Sequence, residues 1–212
     1  MSNDEVRVGL LGCGAIGRGL ALAVDEGRVK GAALVALYDQ RPSSGQDLAR
    51  QLRSSPRVSS SFEDFIATEG MALVVEAASQ EAVHQYAEAI VSRGKHLLIM
   101  STGSLLDGGL FSRLGALARE TGCQILAPSG AIGGIDAIRA SRDGLEEVVL
   151  TTRKPPETLV DTSAAAQDTL RGLTSPQVVF DGNAVEAVKR FPFNVNVAAT
   201  LSLAGIGPER TR

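Results

Sequence analysis

The sequence predicts an α/β chain: a Rossmann-type doubly wound parallel sheet over residues 1–127, then a second α+β domain over residues 128–212. Three observations carry that prediction. The glycine turn Gly12-Cys13-Gly14-Ala15-Ile16-Gly17 stands between an apolar run of strand type and a stretch of helical spacing. Apolar runs then alternate with helical stretches as far as Ala127, the pattern of parallel strands joined by crossover helices. After Pro128 the character changes to a small-residue loop followed by β-branched runs separated by helical segments.

The first strand is predicted over Val6–Leu11 and the first helix over residues 16–26. Each glycine between them has its own task. Gly12 permits the tight turn, Gly14 lets backbone approach a pyrophosphate, and Gly17 lets the helix pack closely on the strand. Ala15 and Ile16 open the helix, whose N-terminus offers free N–H groups and a partial positive charge to phosphates. Cys13 sits inside this turn, where a small side chain is needed, which favours a structural role over a redox one.

The second strand, residues 33–38, ends in Asp39, about twenty residues beyond Gly17, where an acid meets the adenosine ribose of a dinucleotide. Arg41 just beyond is placed to hold the 2′-phosphate of NADP, whereas Asp39 accepts from a free 2′-hydroxyl and repels that phosphate. The reading favours NAD and leaves NADP open. A turn cluster over residues 40–45 leads into a short helix over residues 46–52.

Residues 71–76 and 96–100 read as strands, residues 80–93 and 110–121 as helices, and residues 124–127 close the parallel series. Ligands of such sheets sit beyond the carboxyl ends of the strands. That rule points to Glu76-Ala77-Ala78-Ser79 and Ser101-Thr102-Gly103-Ser104, with Ala78 and Ser101 as candidate neighbours of the nicotinamide ribose. Both stretches also read as ordinary strand-to-helix loops with serine caps. The two histidines, His84 within a helix and His96 at the start of a strand, fall at neither loop. His84 has Glu88 four residues on, a spacing that makes a solvated pair more often than a metal site.

In the second domain, Pro128-Ser129-Gly130-Ala131-Ile132-Gly133-Gly134-Ile135-Asp136-Ala137 is a small-residue loop entering a helix, readable as a hinge and as a close approach to a ligand. Residues 146–152 and 178–181 read as strands of a second sheet, with the Pro155-Pro156 break and a helical stretch over residues 160–170 between them. From Pro192 a small-faced helix runs to Gly205, with Asn194 as a candidate cap. Asn196 is an amide on that apolar helix and needs either a backbone or a ligand partner.

Bulk composition excludes several functions. With 44% hydrophobic and 21% charged residues among 212, the chain is of ordinary globular type. A net charge of −3 and no Lys/Arg block argue against nucleic acid or an anionic membrane as partner. The acidic N-terminus carries no secretory pattern and no stretch reaches membrane-span length, so a cytoplasmic protein is expected. Cys13 and Cys123 make neither a disulfide framework nor a metal-ligand spacing, so no metal is expected.

Four stretches together resemble the prokaryotic L-aspartate dehydrogenase family: residues 12–17, residues 128–137, Thr152-Arg153-Lys154-Pro155, and residues 191–205 with Asn-Val-Ala-Ala-Thr-Leu-Ser-Leu-Ala-Gly. The resemblance spans essentially the whole chain. It implies oxidation of L-aspartate with NAD or NADP to iminoaspartate, which hydrolyses to oxaloacetate and ammonia or feeds NAD biosynthesis. It carries cofactor contacts onto Ala131 and Asn196. The family's catalytic histidine follows the element that here reads Glu209-Arg210-Thr211, so it is expected beyond Arg212 and no catalytic residue is named. The second domain is accordingly expected to be truncated, with a bare sheet edge that pairs in a homodimer or higher homo-oligomer. A cofactor-binding relative without turnover, or a redox sensor, is the alternative. A reductase of the dihydrodipicolinate type lacks its His-His and Lys cluster here. Arg139, Lys189 and Arg190 are the candidate carboxylate binders near family motifs.

Overall fold

The structure is a computed structural model, described for residues 5–155, 175–191 and 195–212. It divides into two units, Met1–Pro128 and Ser129–Arg212. In the first unit the parallel strands are β1 (Val6–Leu11), β2 (Ala32–Tyr38), β3 (Arg57–Val58), β4 (Leu73–Glu76), β5 (His96–Ile99) and β6 (Ile125–Leu126). They lie in the order β3-β2-β1-β4-β5-β6. The helices are α1 (Ala15–Asp25), α2 (Pro42–Ala49), α3 (Phe62–Ile66), α4 (Gln80–Ser92) and α5 (Gly108–Thr121).

Strands buried on both faces read as continuous apolar runs, and Leu10, Leu37, Val74, Leu97 and Ile99 are each at most 2% exposed. Burying a side chain of that size contributes roughly 1.5–3 kcal/mol, so the middle of the sheet is the anchor of the unit. Strand order reverses between β1 and β4, and their carboxyl ends end level, with Leu11 opposite Glu76. A cleft opens there by topology alone. Against the outer face of β2, Tyr38, Phe62, Phe65 and Tyr86 form an aromatic cluster in which Phe62 stacks on Tyr86 at 4.2 Å between centroids.

Two differences from the sequence reading are local. The short helix begins at Pro42, not residue 46, because a proline suits the first helical position and so the turn cluster is mostly its first turn. The strand β3 and the helix α3 were not predicted, since two and five residues are too few for a period to show; Ser61 caps α3 by accepting from the Asp64 N–H at 3.0 Å.

The second unit contains α6 (Ile135–Ala140), α7 (Ala184–Arg190) and α8 (Asn196–Ala204) among its described residues. Asn183 and Glu186 form a reciprocal capping box at the start of α7. Of the expected strands, residues 146–152 show only a bridge, Val148 to Thr211, extended by the Leu150 N–H donating to the Arg212 carbonyl at 2.6 Å. Residues 178–181 form no strand, and Val178 is 84% exposed. A β-branched run becomes a strand only beside a partner, and among the described residues the backbone bonds to the first run come from residues 211–212. The helix expected over residues 160–170, Pro156, Pro192 and the Asn194 cap lie outside the described residues.

Candidate active site

The glycine turn is held by contacts that leave two of its glycines no room. Gly12 has φ +98° and donates its N–H to the Tyr38 carbonyl at 2.8 Å. A Cβ there would sit 2.7 Å from the Ala77 backbone, so the turn after β1 rests directly on the loop after β4. At Gly17 a Cβ would sit 2.0 Å from the Gly12 carbonyl oxygen, which fixes how closely α1 approaches the turn. Gly14 differs from both. It is exposed, and nothing lies within 4 Å of where its Cβ would be.

Helix α1 starts at Gly14 with no side-chain cap and no acidic residue in its first turn. Its first internal bond is from the Arg18 N–H to the Gly14 carbonyl at 2.8 Å. The N–H groups of Ala15, Ile16 and Gly17 therefore precede the helical ladder and point out of its end, and Ile16 is 54% exposed beside them. Such an end attracts an anion through both its donors and its dipole.

Asp39 stands at the end of β2 with both carboxylate oxygens engaged. Oδ2 accepts from the Cys13 N–H at 2.8 Å and Oδ1 from the Arg41 N–H at 2.9 Å. One carboxylate thus ties the glycine turn to the second strand, a structural duty that spacing alone did not reveal. Each oxygen keeps a lone pair for a hydroxyl donor. The Arg41 guanidinium is 3.8 Å from Oδ1 and 77% exposed, a solvent-screened pair at the rim of the turn. Cys13 is buried, and burial first, then the neighbouring Asp39 carboxylate, push its thiol up to about 12. A thiol so held stays protonated, the structural role expected for it.

These groups border an open cleft of about 270 Å³ at the switch point. Gly12, Gly14, Asp39 and Arg41 form one side, Ala77, Ala78 and Ser79 the other, and Tyr86 reaches in from α4. The surroundings offer helix-end N–H donors for an anion, a carboxylate for hydroxyls, and small residues against which a flat ring can lie.

Ser101 is placed differently from Ala78. It is buried, its hydroxyl donates to Glu76 Oε1 at 2.8 Å, and its N–H donates to Glu76 Oε2 at 3.0 Å. The Ala78 N–H also donates to Oε1, at 2.8 Å. Glu76 was named from the sequence as part of its loop, but its grip on both loops was not, and its one signal was an acid closing an apolar run. Burial pushes the Glu76 carboxyl above its ordinary value, while the hydrogen bonds from Ser101 and Ala78 pull the other way.

Neither histidine borders the cleft. His96 Nδ1 accepts from the Gln124 N–H at 2.9 Å, so its lone pair serves the entry of β6. His84 Nδ1 lies 3.9 Å from Asp107, and its suggested partner Glu88 instead accepts from Arg113 at 2.8 Å. In the second unit Ala131 is exposed in the loop before α6, and Asn196 is the half-buried first residue of α8, not an amide in mid-helix. The Arg190 guanidinium lies over Phe180 and Phe191, at 5.9 and 5.6 Å from the ring centroids, while Arg139 is exposed on α6 and Lys189 lies in the last turn of α7. Among the described residues no three His, Cys, Asp or Glu side chains could hold a metal ion, and no helix is long and apolar enough to cross a membrane.

Residues 12–128 match the model of the homoserine dehydrogenase NAD-binding domain, and residues 136–212 match that of the aspartate dehydrogenase C-terminal region. An L-aspartate dehydrogenase of Methanocella arvoryzae is 43% identical over 208 residues, covering 97% of this chain and 76% of the relative. One of Methanocaldococcus jannaschii is 41% identical with the same coverage. The crystal structure of aspartate dehydrogenase from Thermotoga maritima superposes with a TM-score of 0.74 at 28% identity, over 98% of this chain and 76% of that one.

Proposed function

Since this chain belongs to the L-aspartate dehydrogenase family, we propose that it oxidises L-aspartate with NAD, and that the cleft beside Gly14 and Asp39 takes the dinucleotide. The open space at the Gly14 Cβ position, in the turn at the uncapped start of α1 and on the cleft lining, is the observation that carries the cleft assignment: no protein contact requires a missing side chain there, and a pyrophosphate does. Gly12 and Gly17, by contrast, are accounted for by protein contacts alone.

A bound NAD would supply the hydride acceptor for the α-carbon of the amino acid, and as the imine forms the amine would release a proton to solvent. The chain's own part is positioning. The N–H groups at the start of α1 face the pyrophosphate, and Asp39 accepts from the adenosine ribose hydroxyls while its other bonds hold the turn rigid. Arg41 is the residue through which NADP would be admitted, since a cation beside Asp39 can offset its repulsion of a 2′-phosphate. Ala78 lines the nicotinamide side, and Ala131 and Asn196 of the second unit contribute further cofactor contacts. The imine is iminoaspartate, which takes up water to give oxaloacetate and ammonia or passes to NAD biosynthesis in the cytoplasm. Self-association as a homodimer or higher homo-oligomer is part of this reading, and sedimentation would measure it.

A redox-sensor reading gains nothing from Cys13, whose thiol is held protonated. The test is direct: titrate the purified protein with NADH, then follow NADH formation from NAD and L-aspartate with D-aspartate as control. Binding and turnover with the L-isomer support the reading, and absence of NADH binding overturns it.

A further inference from the structure

We propose that Glu76 is a positioning residue for hydride transfer: its buried carboxylate locks the loops that follow β4 and β5 together and so fixes the surface on which the nicotinamide half of the dinucleotide lies. This rests on the reading of the cleft as the dinucleotide site. Glu76 is the last residue of β4, 1% exposed, and pairs with Ile99 at the final rung of β5. The last backbone bond between the two strands runs from the Met100 N–H to the Glu76 carbonyl at 3.0 Å, and beyond it the two loops are joined by the Glu76 side chain. Its carboxylate accepts three hydrogen bonds, one from Ala78 in the first loop and two from Ser101 in the second. The Ser101 carbonyl in turn accepts from the Ser104 hydroxyl at 2.8 Å, which extends the lock through the second loop. The Gly12 turn rests on Ala77 and Ala78, so the phosphate side of the cleft bears on the same knot.

The chemistry requires a carboxylate. The three partners named are all neutral donors, and two of them are backbone N–H groups that cannot reverse. A glutamine has one acceptor atom; whichever way its amide turns, its NH₂ faces the N–H of either Ala78 or Ser101. An apolar side chain would fill the same volume without the cost of burying a charge, so packing alone does not account for the acid. Ala78 faces the cleft while its N–H faces Glu76, which makes the carboxylate the back wall of that surface. The adenosine side, built on Asp39 and α1, makes none of these bonds.

The experiment separates the two halves of the cofactor. ADP-ribose probes the adenosine and pyrophosphate side, NADH the whole site, and both affinities are measured by calorimetry on wild type, Glu76→Gln, Ser101→Ala and Ser101→Thr, with kcat and KM for L-aspartate. Glu76→Gln should leave ADP-ribose affinity within about twofold, weaken NADH about tenfold, as for one lost hydrogen bond to a charged group, and lower kcat at least about tenfold with KM for aspartate little moved. Ser101→Ala should shift the same ratio less, and Ser101→Thr, which keeps the hydroxyl, should restore it. An unchanged ratio of NADH to ADP-ribose affinity in Glu76→Gln overturns the proposal, as does equal weakening of both ligands. If Glu76→Gln fails to fold, the same criterion applies to Ser101→Ala. A wild type that binds neither ligand refutes the cleft assignment, and the proposal falls with it; one that binds both without oxidising aspartate leaves the affinity ratio as the deciding measurement.

Discussion

Replacing Gly14 by valine separates a glycine kept for a ligand from glycines kept for the fold. Gly14 has φ −73° and ψ −164°, extended backbone that valine adopts readily, and its Cβ would meet no protein atom within 4 Å. The substitution loses a favourable helix-capping glycine, about 1 kcal/mol at most, partly offset by the lower entropy of the unfolded chain. For a chain of this size that shifts Tm by roughly 2–4 °C or less. The branched side chain, however, stands in front of the helix-end N–H groups. Displacing a pyrophosphate from two such donors forfeits about 1.5–3 kcal/mol each, so NADH affinity should fall by roughly a hundredfold or more. Gly17→Ala is the counterpart: its Cβ would press on the Gly12 carbonyl from 2.0 Å, and overpacking of about 1–3 kcal/mol or more should lower Tm by several degrees. Thermal melts and NADH fluorescence titrations on both variants decide the matter. An unchanged NADH Kd in Gly14→Val refutes the assignment of the cleft, and a collapse of its Tm refutes the claim that the fold does not need this glycine.

Asp39→Ala should both weaken NADH tenfold to a hundredfold or thereabouts and destabilise the fold by about 1–3 kcal/mol, because the Cys13 N–H loses its acceptor; unfolding titrations that show full stability would mean the turn is held otherwise. Cys13 has a thiol raised in the folded state, so the stability tied to its protonated form is complete below the ordinary thiol value and is lost as pH rises from about 8.5 towards 12, by roughly 1.4 kcal/mol per pH unit. Urea midpoints of wild type against Cys13→Ala across that window should therefore converge, and parallel curves would contradict it. His84→Ala should leave NADH affinity within about twofold, since the imidazole is exposed and is not among the residues that line the cleft, and a tenfold loss in the same titration would place it in the site.

The sheet was legible because β1, β2, β4 and β5 are largely apolar runs of four to seven residues and the run over residues 124–127 announced β6, while β3 contributes two residues, Arg57 and Val58, and carries almost no signal of its own. The turn formed by Gly12, Gly14 and Gly17 was legible from spacing because the close approaches at Gly12 and Gly17 impose it. Asp39 was located but half understood: its position follows from the strand, its grip on Cys13 only from tertiary contact. Ser101 faces Glu76 because two loops meet there across 25 residues of chain, a fact no local pattern encodes. In the second unit the β-branched runs announce strands, but pairing is a property of neighbours, and among the described residues Val148 meets just Thr211 and Arg212 in backbone pairing.

The aromatic cluster on β2 has an optical consequence. Tyr38 and Tyr86 are the chain's two tyrosines and it contains no tryptophan, so every photon of its intrinsic emission starts from one pair of rings, 5.9 Å apart, nearly perpendicular, and with hydroxyls 3.4 Å from each other. Tyr86 borders the cleft. Tyrosine emission overlaps the absorption band of a reduced nicotinamide, and a ligand lying along that wall would drain the excited state by energy transfer at close range. The protein thus carries a built-in, label-free lamp at its cleft, and dimming of that lamp on addition of NADH reports occupancy without any engineered fluorophore.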